Sequence, residues 1–132
     1  VTPRQRKLAS DLLAAIGNVE WVSDEGLMDA VTAGSGSGPA YVFLLAEAMT
    51  QAGIAAGLPQ DLAMKLARET VSGSGELLRQ SPLDAATLRQ NVTSPGGTTA
   101  AALALLMGER GLAQLMEQAV AAATTRSREL AG

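Results

Sequence analysis

The chain has 132 residues, one domain's worth, and a formal charge of −3 with its basic residues scattered, which leaves no electrostatic footprint for nucleic acid. It contains neither cysteine nor histidine, so disulfides, thiol chemistry, zinc-thiolate sites and a Ser-His-Asp hydrolase are all excluded within it. Nearly half of the residues are apolar, yet there is a single Trp, a single Tyr and a single Phe, so the apolar mass is Ala, Leu, Val and Met. Such a composition favours helices that approach one another closely, and an all-helical domain is expected.

Thr2-Pro3 reads as the cap and first position of a helix whose apolar face is Leu8, Leu12, Leu13 and Ile16, stopped at Gly17-Asn18. The only basic cluster, Arg4, Arg6 and Lys7, sits on its solvated first turn. Val19-Glu-Trp-Val22 is a short strand candidate; one strand cannot form a sheet alone, so its partner has to come from elsewhere. The chain opens on polar Val1-Thr-Pro-Arg with no apolar core of a signal peptide, and its longest strongly apolar run, Ala100 to Met107, is far short of the roughly 20 residues that span a bilayer. A soluble, cytoplasmic protein is the expectation.

Ser23-Asp24-Glu25 opens a short helix carrying Leu27, Met28 and Val31 inward, and Gly34-Ser-Gly-Ser-Gly38 interrupts it. The glycine loop lacks the third glycine of a dinucleotide fingerprint, has Pro39 in its place, and follows no good strand, so it reads as a tight corner. The helix from Pro39 to about Ala56 is apolar on nearly every side. It is either the central core helix of a monomer or, the reading the other equally apolar helices favour, buried against a second copy of the chain.

Beyond Gly57, Leu58-Pro-Gln-Asp61 opens a helix reaching Leu78, in which Gly73 and Gly75 mark close approach of a neighbouring helix. Ser81 caps a further helix with Pro82 at its first position and Asp84 at its third, running to about Asn91. The last helix runs from Leu112 to about Leu130 with Leu115, Met116, Ala119, Val120 and Ala123 inward.

Between these two lies the stretch on which the chain turns, Val92-Thr-Ser-Pro-Gly-Gly-Thr-Thr99 followed by Ala-Ala-Ala-Leu-Ala-Leu-Leu-Met107. Pro95, Gly96 and Gly97 break one helix and Thr98-Thr99 begins the next, so free backbone N–H groups, the positive end of the helix dipole and the hydroxyls of Ser94, Thr98 and Thr99 share one small hollow. That suits a small carboxylate or phosphate. On pattern alone the same residues also make an ordinary capped helix-to-helix turn.

Residues 88 to 106 closely resemble the C-terminal signature of pyrroline-5-carboxylate reductases, and Met28 to Leu44, with Gly34-Ser-Gly-Ser-Gly-Pro-Ala-Tyr41 at its centre, is similar to that family's helix entry. Ala52 to Pro59 and Glu69 to Gly73 are similar as well, in the same order. Met107 departs from the family, which usually has an acidic or amide residue after the apolar run.

The resemblance implies an all-α, Ala-rich bundle forming an intertwined dimer, like the C-terminal domain of 6-phosphogluconate-dehydrogenase-like reductases. It implies that residues 1–23 are the edge of a dinucleotide-binding domain lying outside the chain and that residues 24–132 are the dimerisation and substrate-binding domain. It further implies reduction of 1-pyrroline-5-carboxylate to L-proline with NADPH or NADH, the cofactor being bound mainly outside the chain, and a homodimer with assembly beyond it left open. Ser94, Gly96, Gly97, Thr98 and Thr99 match the carboxylate cradle, Thr99 is the hydroxyl at the ring nitrogen and hence the catalytic candidate, and Pro39 borders the ring from the neighbouring subunit. No metal site and no membrane partner are expected. Two other readings stay open: a helical dimerisation module with no turnover of its own, and an unrelated helical ligand-binding domain.

Overall fold

In a computed structural model covering residues 1–132, every regular element is helical. The first helix, α1 (Pro3–Leu13), starts as expected: the Thr2 hydroxyl accepts from the Gln5 N–H at 3.3 Å while the Gln5 side chain accepts from the Thr2 N–H at 2.8 Å, a reciprocal capping box. The strand expected at residues 19–22 does not form. An extended segment needs a partner ladder and this chain offers none. The segment is tied back to α1 instead, with the Trp21 indole N–H donating to Ser10 Oγ at 2.9 Å and the Arg6 guanidinium 4.7 Å above its ring.

Asp24 caps the next entry by accepting from the Gly26 N–H at 2.8 Å, and a turn of 3-10 helix (Glu25–Leu27) runs into α2 (Met28–Val31). The glycine loop is a corner, but a helical one: Thr32–Gly36 form a π turn before α3 (Gly38–Ala55) begins with Pro39 in its first turn. The Tyr41 hydroxyl on α3 donates to the Ala33 carbonyl at 3.0 Å and pins the corner.

Helix α3 pairs with α4 (Gln60–Gln80) across the Gly57 turn as the most extensive packing in the molecule. They approach closely at Gly53, where a Cβ would stand 3.2 Å from the Ala63 Cβ. Gly73 and Gly75, read from the sequence as that kind of contact, have nothing within 4 Å in this chain.

The following helix, α5 (Ala85–Asn91), begins one turn later than expected. Asp84 is the cap, accepting from the Thr87 N–H at 2.7 Å, while Ser81 accepts from the Leu83 N–H at 3.1 Å in the turn ahead of it. Helix α6 (Thr98–Leu106) follows, and α7 (Leu112–Ala131) closes the chain. A side chain on Gly111 would collide with the Leu106 carbonyl oxygen, so the α6–α7 corner is built on backbone contact.

The inward face expected of α7 is covered only along its C-terminal half, which packs on α2 and the π turn. Ser127 donates to Asp29 at 2.7 Å there, with the Arg128 guanidinium 3.6 Å from the same carboxylate. Leu115 and Met116 are exposed, as are Leu27, Met28 and Val31.

This exposure is general. Only Ala33, Ala63, Ala67 and Gly111 are buried, and the accessible surface is 10,538 Å². A compact monomer of this mass exposes about 6,500 Å², so the chain carries roughly 4,000 Å² more than it needs to. Val42, Phe43, Leu44 and Leu45 on α3, the helix apolar on every side, all face outward. The core that the composition calls for cannot be assembled by one copy of the chain. No helix is long and apolar enough to cross a membrane.

Candidate functional site

The hollow read from the sequence is a turn with defined geometry. At the end of α5, the Thr93 N–H donates to the Gln90 carbonyl at 3.0 Å and its hydroxyl to the Arg89 carbonyl at 2.6 Å. Ser94-Pro95-Gly96-Gly97 then forms a turn closed by the Gly97 N–H on the Ser94 carbonyl at 3.0 Å. Gly96 has φ +68°, and no other residue of the turn is left-handed, so with Pro95 at its second position it is a type II turn.

Gly97 is the N-cap of α6: its carbonyl accepts from the Ala101 N–H at 3.1 Å, and no side chain caps the helix. The Thr98 hydroxyl is therefore not a cap. The N–H groups of Thr98, Thr99 and Ala100 precede the first intrahelical bond and point out of the helix end with its positive dipole. The Gly97 N–H, expected among the free donors, is spent on closing the turn. Ser94, Thr98 and Thr99, which flank these donors in the chain, are exposed.

Ser94, Gly96, Gly97, Thr98 and Thr99 are thus brought together by one turn. Pro39 is not joined to them by the chain's own packing, since α3 packs on α4 and the π turn and has no substantial packing with α6. Two residues were missed by sequence reasoning: Thr93, which fixes the turn to α5, and Arg89, which pairs with no carboxylate and borders an open groove of about 490 Å³ between α5 and α6 together with Thr93, Leu103 and Met107. Thr93, two residues past the end of α5, stood within reach of the last carbonyls of that helix, and this was the available signal.

Asp84, the cap of α5, is held below the usual carboxylate range by the backbone N–H of Thr87 and, after it, by the Thr87 side chain. No three side chains able to ligate a metal converge anywhere. Nor does the chain contain a strand–glycine turn–helix unit of the kind that cradles a dinucleotide: its glycine loop is a π turn between helices.

An all-helical chain that leaves most of its apolar surface uncovered has the character of an assembly domain. Its relatives are specific. The family described as pyrroline-5-carboxylate reductase dimerisation matches residues 25–130, and the chain belongs to that family.

It is 47% identical over 131 residues to a pyrroline-5-carboxylate reductase of Pseudomonas aeruginosa, covering 99% of this chain and 48% of that protein, and 48% identical over 130 residues to one of Synechocystis, covering 98% and 48%. Among solved structures, the pyrroline-5-carboxylate reductase of Coxiella burnetii superposes with a TM-score of 0.92 at 40% identity, covering 98% of this chain and 48% of that one. The Plasmodium falciparum pyrroline carboxylate reductase, solved with NADP bound, superposes with a TM-score of 0.83 at 33% identity, covering 100% and 52%. The chain spans about half the length of the curated relatives it matches.

Proposed function

We propose that this chain is the dimerisation and substrate-binding part of a reductase that converts 1-pyrroline-5-carboxylate to L-proline. The observation that carries this is the coincidence, in a member of this family, of a free helix N-terminus on a Ser-Pro-Gly-Gly type II turn with an apolar surface that only another chain can cover.

The substrate carboxylate lies on the N–H groups of Thr98 and Thr99 and on the Ser94 hydroxyl, with Gly96 and Gly97 shaping the backbone to admit it. The ring nitrogen faces the Thr99 hydroxyl, which accepts from the iminium N–H or relays a proton. An imine of this kind is readily protonated, so a site without histidine or cysteine suffices: its task is to hold the ring in place, a contribution that can lower the barrier by several kcal/mol. Pro39 of a second copy borders the ring.

NADPH or NADH supplies the hydride and is held mainly by residues outside this chain. Residues 1–23, with an extended segment that finds no partner here, belong to that cofactor-binding unit, and residues 24–132 form the dimerisation and substrate-binding unit. Alone, this chain assembles without turning over, which is the alternative reading in its compatible form.

The test is calorimetric titration with L-proline of the chain and of its Ser94→Ala and Thr99→Ala variants, with the mass in solution recorded on the same samples. Proline binding by a dimer that both variants weaken is the expected result. A dimer indifferent to proline reduces the chain to an assembly module, and a well-folded monomer overturns the assembly argument.

A further inference from the structure

Four hydroxyls surround the type II turn, those of Thr93, Ser94, Thr98 and Thr99, and only one of them is committed within the protein. The last carbonyls of a helix have no intrahelical donor, and Thr93 satisfies two of those of α5 at once, Arg89 with its hydroxyl at 2.6 Å and Gln90 with its N–H at 3.0 Å. It is half-buried, whereas Ser94, Thr98 and Thr99 are exposed. Immediately after it the chain enters the turn that aims the first N–H groups of α6. That helix has no substantial packing on any other element of its own chain, so the direction of its N-terminus is set locally through this joint.

We propose that Thr93 is a positioning residue for the carboxylate site: its side chain is not a ligand, but its bond to the Arg89 carbonyl fixes the angle at which Ser94 and the Thr98 and Thr99 N–H groups meet the substrate. The inference rests on the reading of the site given above. Thr93→Val keeps the shape and removes the donor; Thr93→Ser keeps the donor and removes the methyl.

The experiment is calorimetric titration of the whole chain with L-proline, using wild type, Thr93→Val, Thr93→Ser and Ser94→Ala, with thermal unfolding and solution mass recorded for each. A positioning role predicts that Thr93→Val weakens proline binding about five- to tenfold, because the binding-competent angle of the turn is then held only a fraction of the time and the apparent affinity falls by that fraction. Mass and melting profile stay close to wild type, and Thr93→Ser restores the affinity. Wild-type affinity in a folded Thr93→Val, beside a loss in Ser94→Ala, overturns the positioning role and leaves the carboxylate site standing. Equal losses in Thr93→Val and Thr93→Ser also overturn it, since a missing methyl cannot act through the Arg89 bond. Absence of proline binding by the wild type overturns the underlying reading and this one with it.

Discussion

Phe43 stands outward on α3, 71% exposed, between two open grooves of the α3–α4 hairpin that hold about 420 and 400 Å³. If a second copy of the chain covers this face, replacing Phe43 with alanine has a calculable effect on assembly. A phenylalanine offers about 200 Å², so about 140 Å² is left for a partner to bury, worth about 3.5 kcal/mol at roughly 25 cal/mol per Å². Alanine keeps part of that surface, so the substitution removes about 2–3 kcal/mol per protomer. A two-fold axis repeats the contact, giving about 4–6 kcal/mol per dimer, a rise in Kd of roughly three to four powers of ten. Sedimentation or mass photometry over a dilution series from micromolar to nanomolar reads this directly. A Phe43→Ala dimer whose Kd stays within tenfold of wild type refutes the assignment of this face to the interface. A wild-type chain that is monomeric and cooperatively folded refutes the reasoning from uncovered surface altogether.

Three further outcomes follow from local geometry. Gly96→Ala places a Cβ on a residue with φ +68°, a conformation that costs about 1–2 kcal/mol for an L-residue, and lowers the urea midpoint accordingly, with proline affinity falling as the turn relaxes. Gly111→Ala drives a Cβ into the Leu106 carbonyl and costs about 1–3 kcal/mol, read as a lower melting temperature; an unchanged transition shows that the α6–α7 corner has room to give. Asp84→Ala lowers stability at neutral pH. Because the folded carboxyl sits below its ordinary value, the unfolded state binds more protons, so this contribution is present above the ordinary carboxyl range and fades as pH falls through the folded value. The gap between Asp84→Ala and wild type in chemical denaturation therefore closes on acidification; a gap that widens contradicts the cap.

Much of the local structure was legible because its causes are local. The Thr2-Pro3 start, the Asp24 cap, Pro39 in the first turn of α3, the break after α3 and the opening of α6 at Thr98 each depend on a few neighbouring residues and their caps. Where two local solutions competed, the sequence reading took the wrong one: it put the cap at Ser81, and the helix takes Asp84, whose carboxylate is the stronger acceptor for the Thr87 N–H. Val19–Val22 forms no strand within this chain because β structure needs a partner, which the sequence reading had already placed elsewhere.

The candidate site divides in the same way. That Ser94 to Thr99 form a hollow followed from Pro95, Gly96 and Gly97; that the Gly97 N–H closes the turn, leaving Thr98 and Thr99 to donate, required the backbone path. Composition and periodicity by themselves determined that the chain is helical and carries more apolar surface than a small domain can hide. Only the tertiary structure decided where that surface goes: the chain closes a helical hairpin and two corners over three alanines and a glycine, and leaves the rest of its apolar faces uncovered. Helix formation is paid in hydrogen bonds within one segment, whereas burial depends on which faces the connections bring together, and here they bring too few together within a single chain.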